Sequence, residues 1–240
     1  MFVIAETQKG LHKAENEDRI VVNETVISSG VIQTDFVGGI LAVADGVGGN
    51  NAGAVASHFV AKELASLKEP SKAALTAINE ALLEESTKNQ GLAGMATTLS
   101  AVYFDKMVSM YHVGNTRVYA IHEGKCLEQL TYDDTKVNYL IATGQLTPEE
   151  AETYDKRNVI TACMGGGKEA YFQLKISDIS NIDTTAFLMT SDGVHEYVSK
   201  NEIEQILNEL SFTAVACSKI IEKARMNGST DDASILLGVM

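Results

Sequence analysis

Two segments far apart in this chain end an apolar run in Asp-Gly. One is Leu41-Ala42-Val43-Ala44-Asp45-Gly46-Val47-Gly48-Gly49, the other Phe187-Leu188-Met189-Thr190-Ser191-Asp192-Gly193-Val194. An apolar run of this length bounded by a glycine turn reads as a buried strand. Each therefore delivers a carboxylate to the rim of a sheet. Carboxylates at adjacent strand ends repel one another unless a cation sits between them. Hard divalent ions such as magnesium and manganese take oxygen ligands of this kind. Two more acidic turns stand beside strands, Glu17-Asp18 early in the chain and Asp231-Asp232 near its end. An aspartate in a turn commonly serves local hydrogen bonding, so no one of these decides the matter. Four loops that each place carboxylates at a strand end point to a shared cation site.

The surrounding pattern alternates strand and helix blocks. Residues 2–6 and 19–22 read as short strands and 36–44 as a longer one. After the loop 48–51, Ala52 to Leu67 reads as a helix, with small residues (Ala52, Gly53, Ala54, Ala56, Ala61) that permit close packing. A second helix is expected at 72–88, capped by Ser71, with Ala74, Leu75, Ile78, Ala81 and Leu82 on one apolar face. Thr97–Phe104 and Met107–Val113 flank Asp105-Lys106 as a hairpin, and Arg117–Ile121 and Cys126–Leu130 flank Glu123-Gly124. This block is an antiparallel meander, not a series of βαβ units. The stretch 132–170 is polar, opens a helix at Thr147-Pro148-Glu149-Glu150 and contains Gly165-Gly166-Gly167, so it reads as an excursion from the core. Strands resume at 170–176 and 185–190. Ser199-Lys200-Asn201-Glu202 is a capping box opening a helix to about Leu210, a further helix spans 213–226, and Ala233–Val239 is the last strand. The class is α+β, with helices covering antiparallel sheets.

Composition excludes several functions. The chain has 240 residues, 45% hydrophobic and 21% charged, with two prolines and no low-complexity run, so one domain spanning 1–240 is expected. A net charge of −13 without a Lys/Arg cluster argues against nucleic acid as a partner. Cys126, Cys163 and Cys217 form no Cys-x-x-Cys pair, which excludes zinc ribbons and fits a reducing cytosol. The start Met1-Phe2-Val3-Ile4-Ala5-Glu6 lacks the features of a signal peptide, and no apolar run approaches the ~20 residues that span a bilayer. A cytoplasmic monomer without membrane attachment is the expectation.

The ordered motifs resemble the protein phosphatase 2C family of metal-dependent serine/threonine phosphatases, in its bacterial single-domain form. Asn16-Glu17-Asp18 is similar to the family's first acidic motif, and Asp45-Gly46-Val47-Gly48-Gly49 to its Asp-Gly-x-Gly-Gly signature. Met95-Ala96-Thr97-Thr98 resembles its Gly-Thr-Thr element, and Gly114-Asn115-Thr116-Arg117 its Gly-Asp-Ser-Arg segment. Leu130-Thr131-Tyr132-Asp133-Asp134 looks like the lead into the family's flap, and Asp192-Gly193 and Asp231-Asp232 like its last two metal motifs. The resemblance implies a four-layer α-β-β-α sandwich, two antiparallel sheets flanked by helix pairs, with 132–170 as the flap. It implies two Mn2+ or Mg2+ ions. Asp45 would bridge them, the Gly46 carbonyl would hold one, Asp192 and Asp231 would hold the other, and Glu17 and Asp18 would act through metal-bound water. Asp45 and Asp192 are then catalytic, and an activated water attacks the phosphorus of phosphoserine or phosphothreonine in a phosphoprotein. The substrates would be targets of a serine/threonine kinase.

Three positions depart from the family pattern. Lys13 stands where an arginine binds the substrate phosphate; it keeps the charge, and hence a catalytic and substrate-binding role, but loses the bidentate fork. Asn115 replaces an aspartate that helps to hold a third ion, and an amide is a poorer ligand for a hard cation, so two ions are expected. Val47 follows Asp-Gly where some members carry histidine; His195, three residues past Asp192, is expected to be structural. Lys13 and Asn115 sustain an alternative, a weak or inactive member of the fold that binds phosphoproteins as a regulatory module. A nucleotide-binding reading of the Gly46–Gly49 loop leaves Asp192 and Asp231 unexplained, and the loop lacks the Gly-x-Gly-x-x-Gly fingerprint.

Overall fold

The structure, a computed structural model, describes residues 1–48, 52–151, 153–155, 159–167 and 171–240. Gly49 of the Asp-Gly-x-Gly-Gly signature and the loop residues Asn50 and Asn51 lie outside the described residues, as do 152, 156–158 and 168–170 in the expected flap.

The chain opens with strands β1 (Phe2–Gln8), β2 (Asp18–Val22), β3 (Thr25–Ile27), β4 (Gly30–Asp35) and β5 (Gly39–Val47), then helices α1 (Ala52–Ala65) and α2 (Lys72–Lys88). Strands β6 (Ala96–Thr97), β7 (Leu99–Phe104), β8 (Val108–Val113), β9 (Arg117–Ile121) and β10 (Leu127–Gln129) make the meander. Helices α3 (Lys136–Ala142) and α4 (Pro148–Ala151) follow, then β11 (Met164–Gly165), β12 (Lys175–Asp178) and β13 (Ala186–Thr190). The one-turn helix α5 (Asp192–His195), helices α6 (Lys200–Leu210) and α7 (Ala214–Met226), and β14 (Ala233–Val239) complete the chain.

One sheet runs β10-β9-β13-β14-β1-β4; the other runs β11-β6-β5-β7-β8-β12, with β2 beside β5 and β3 beside β2. Side-chain alternation sorts the layers. In β5, Leu41 and Val43 point between the sheets, while Ile40, Ala42 and Ala44 face α1 and α2. In β13, Phe187 and Met189 point between the sheets, while Ala186 and Leu188 face α6 and α7. The result is the expected α-β-β-α sandwich. Ser71 accepts from the Ala74 amide to start α2, and the Ser199–Glu202 capping box starts α6. Leu188 is fully buried under α6 and α7. Leu188→Ala should cost about 2–5 kcal/mol of stability, read as a lower urea midpoint at unchanged slope.

Three local expectations change, and the first is that the strand expected at 170–176 is Lys175–Asp178. The strand expected at 36–44 is Gly39–Val47, because Gly46 and Val47 pair with Thr97 and Ala96 and carry the ladder past Asp45. Asp45 therefore projects from within a strand, and Asp192 opens a helical turn. Strand β4 was not anticipated; it is an edge strand, largely exposed, whose apolar content is only Val31 and Ile32.

Within 132–170, the exposed part leaves and re-enters the body at one neck. Thr135 bridges Ile160, the Lys136 amide donates to the Val159 carbonyl at 2.8 Å, and the Thr161 amide donates to Asp134 at 2.7 Å. Met164, beyond the neck, is fully buried and pairs with Thr97.

Candidate metal centre

The β2–β5 register sets Asp18 directly opposite Asp45. The two adjacent backbones are tied by the Gly46 amide, which donates to the Glu17 carbonyl at 3.1 Å. Asp18 is 1% exposed. Its Oδ2 accepts from the hydroxyls of Ser191 and Ser234, each at 2.7 Å, and its Oδ1 is buried without a partner. Ser191 follows β13 and Ser234 is the second residue of β14, so one carboxylate links the two sheets where their acidic ends meet.

Asp45 is held through its backbone. Its amide donates to the Thr98 hydroxyl at 3.1 Å, and its carbonyl accepts from the Thr98 amide at 2.8 Å and the Thr97 hydroxyl at 2.9 Å. This is the structural use of the Thr97-Thr98 pair. The Asp45 and Asp192 carboxyl groups are close enough that the charge of Asp192 bears directly on Asp45. Asn115 Nδ2 donates to Asp192 Oδ2 at 3.1 Å. Asp232 is a clamp: Oδ1 accepts from the Gly10 amide and Oδ2 from the Glu17 amide, both at 2.7 Å. Asp231 remains half exposed beside Lys13.

Lys13, Glu17, Asp45, Gly46, Asp192 and Asp231 line one cavity of about 350 Å³, with Asn115, Val159 and Ile160 also on its walls. Asp18, expected with them, lies outside this lining and is buried by its contacts to Ser191 and Ser234. A larger groove of about 960 Å³ lies at the other end of β5, near Asn23, Gly39 and Tyr103, and contains none of the expected site residues.

Electrostatics mark the acidic cluster as a site short of positive charge. Burial, then the charges of Asp192, Asp18 and Asp231, hold the Asp45 carboxyl well above the ordinary aspartate range. Burial pushes Asp18 up to about 7 against the pull of its two serine hydrogen bonds. Burial and the Asp231 charge push Asp192 up to about 6, with the Asn115 hydrogen bond opposing. Partial burial pulls the Lys13 ammonium down, but its hydrogen bond to Glu17 and the charge of Asp231, 3.2 Å away, outweigh it and hold the pKa above the usual lysine value. Among the described residues, no three His, Cys, Asp or Glu side chains close into a metal cage. The carboxylates lean instead on Asn115, on Lys13 and on one another. The donor set nevertheless fits a hard divalent cation: buried carboxylates driven toward protonation, and a carboxylate oxygen, Asp18 Oδ1, with nothing to bind.

The shifts carry a pH signature. A carboxyl whose pKa is higher folded than unfolded contributes stability below its unfolded value and loses it as pH rises through the folded value. For Asp18 and Asp192 that window runs from 3.8 to about 6–7. The metal-free protein should therefore lose stability across this interval, by several kcal/mol if each unit is worth about 1.4 kcal/mol. Urea midpoints against pH, in chelator and in manganese, test this; a metal-free slope of opposite sign would contradict it.

Other buried polar groups brace the site. Arg117 grips Asp133 at the flap neck, with Nη2 to Oδ2 at 2.7 Å and Nε to Oδ2 at 2.9 Å. His195 is buried, with Nδ1 at 2.8 Å from the Thr190 hydroxyl; burial and the Arg117 charge hold its pKa well below the usual value, so it is a neutral structural group. The sequence singled out Asp231 and passed over Asp232. The adjacent acids were visible, but not the amides of Gly10 and Glu17 that face Asp232.

Comparison with known proteins agrees with this geometry. The family model described as protein phosphatase 2C matches residues 29–226. The serine/threonine protein phosphatase PstP of Mycobacterium tuberculosis is 31% identical over 97% of this chain, which spans only 44% of that protein's length. A crystal structure of the M. tuberculosis phosphatase PstP/Ppp superposes with a TM-score of 0.82 at 30% identity, covering all of this chain and 99% of that one. The catalytic domain of PstP in complex with two manganese ions has a TM-score of 0.77 at 31% identity, covering all of this chain and 99% of that one. The sandwich, the facing carboxylates at its end and the match along most of the chain agree: this chain belongs to the protein phosphatase 2C family.

Proposed function

We propose that this chain hydrolyses phosphoserine and phosphothreonine in phosphoproteins, with two Mn2+ or Mg2+ ions in the acidic cavity. The observation that carries this reading is the composition of the cavity wall. Among its described residues it gathers Asp45, Asp192, Asp231 and Glu17 but no hydroxyl, thiol or imidazole that could attack phosphorus. With the carboxylates of the wall engaged as metal ligands and no other nucleophile among them, the attacking group is water.

Asp45, shared between the ions, the Gly46 carbonyl, Asp192 and Asp231 would hold the metal, with Glu17 and Asp18 contributing through water. Bound there, the ions supply an acidified water and neutralise phosphate oxygens. The chain's own residues do the rest. Asp232 fixes the Glu17 backbone, and Thr97 and Thr98 fix Asp45. Asn115 orients Asp192 while leaving a third ion without the charge of an aspartate. Lys13 presents a point charge at the wall, now engaged by Glu17 and Asp231, that can turn to a phosphate oxygen. Residues 132–170 act as the flap, joined to the body at the Thr135–Ile160 neck, with specificity set by the exposed face at Val159. The unit is a single domain, 1–240, acting as a monomer in the cytoplasm on the targets of a serine/threonine kinase. No helix among the described residues is long and apolar enough to cross a membrane.

The direct test is phosphate release from a phosphopeptide panel with manganese or magnesium. Turnover should need the metal and vanish in chelator. Absence of turnover with every divalent ion, alongside retained phosphopeptide binding, would replace this reading by the regulatory one, which the neutral Asn115 and the engaged Lys13 favour.

A further inference from the structure

We propose that a second pocket, against the outer face of α1, is a subsite for an oxyanion, the phosphoryl or carboxylate group of a ligand. It is built on Arg19. In β2, Ile20 and Val22 point between the sheets and Val21 points to the helices, so Arg19 lies on the helix side. It is 7% exposed. One terminal nitrogen, Nη1, is spent on the backbone carbonyls of Asn16 and Asp18. Nε is buried and has no partner, and no ion pair to the guanidinium forms among the described residues. A buried guanidinium with an empty edge is costly unless an acceptor meets it.

Arg19 lines a pocket of about 520 Å³ together with His58, Phe59 and Lys62 of α1, and with Glu15 and Glu85. His58 and Lys62 are four residues apart on one exposed helix face. Glu85 is already paired with Lys88 at 2.7 Å. Exposed Glu15 supplies the largest opposing charge felt by Arg19, whose burial otherwise depresses its pKa. The pocket shares no lining residue with the metal cavity. The wall between them is the Glu17 segment packed on the start of α1, so close that a Cβ on Gly53 would lie 2.8 Å from Glu17 Oε1. A guanidinium matches two oxygens of a phosphate or carboxylate, Lys62 adds a point charge, and Phe59 covers apolar atoms beside it.

The inference rests on the pocket alone and holds whether or not the metal cavity turns substrate over. The probe is inorganic phosphate, titrated calorimetrically into chelator-treated protein so that no metal ion holds the anion. Saturable binding is expected, weakened at least about tenfold by Arg19→Met and by Lys62→Met and tightened by Glu15→Gln. Lys62 and Glu15 are exposed, so their variants decide the matter even where Arg19→Met fails to fold. Equal affinity in wild type, Lys62→Met and Glu15→Gln, or no saturable binding, would overturn the proposal. A phosphoserine peptide that displaces phosphate from wild type but binds Lys62→Met more weakly assigns the subsite to polypeptide side chains. Phosphate binding without such competition assigns it to the free ion.

Discussion

Asp45→Asn should abolish the proposed metal-dependent phosphatase activity and at the same time stabilise the metal-free fold. Burial and three neighbouring acids, Asp192, Asp18 and Asp231, hold the Asp45 carboxyl well above the ordinary aspartate range. Removing its charge leaves any bridged pair of ions without a common anionic ligand. Activity should fall by about a hundredfold or more, as for loss of a principal charge-stabilising group. With no metal present, the same charge is a liability, because it repels buried carboxylates that have no cation to share. Asparagine stays neutral and repels none of these carboxylates, so the metal-free variant should gain about 1–3 kcal/mol at neutral pH. The two effects have opposite signs, which separates a functional carboxylate from a structural one. Turnover in manganese and urea unfolding in chelator, measured on the same preparation, give both numbers. A variant that loses both activity and stability would place Asp45 in the scaffold instead.

Gly193→Ala should be the most damaging glycine-to-alanine change among the described residues. A Cβ there would sit 1.8 Å from the Asp232 carbonyl oxygen and 2.9 Å from its carbon. Both are backbone atoms, so no side chain can swing away. Gly193 also accepts the Ser229 hydroxyl on its carbonyl at 2.8 Å, which ties the Asp192 turn to the Asp231 loop. Asp232 in turn holds the amides of Gly10 and Glu17. Pushing Asp232 aside therefore disturbs Asp192, Asp231 and Glu17 together. A loss of about 4 kcal/mol or more is expected, with manganese affinity falling in whatever fraction still folds. Gly91→Ala is the control: its nearest neighbour would be a side-chain oxygen at 3.3 Å, and its backbone lies outside the left-handed region. Thermal unfolding of the two variants checks the contrast, and similar stability in both would refute it.

Gly46 shows how such a contact escapes a linear reading. Its added Cβ would meet the Gly53 carbonyl oxygen at 2.2 Å. The sequence marks Gly46 as a place where backbone must approach something closely, and offers a metal as the reason. The structure adds a second reason, the start of α1 lying directly against it.

What the chain determines by local chemistry was legible. Apolar runs specify β5 and β13, Ser71 and Ser199 specify helix starts, and Asp-Gly after a buried strand marks Asp45 and Asp192 as costly carboxylates. Each needs only neighbours within a few residues. Tertiary structure alone decided which carboxylates meet. Asp18 finds Ser191 and Ser234 across separations of 173 and 216 residues, and Asp232 reaches Glu17 across 215. It placed Asp18 outside the cavity wall, set Lys13 between Glu17 and Asp231, and left Arg19 buried with an empty edge. Those outcomes depend on strand register. A shift of one residue sends every side chain to the opposite face, and register is set by the whole sandwich rather than by any segment of it.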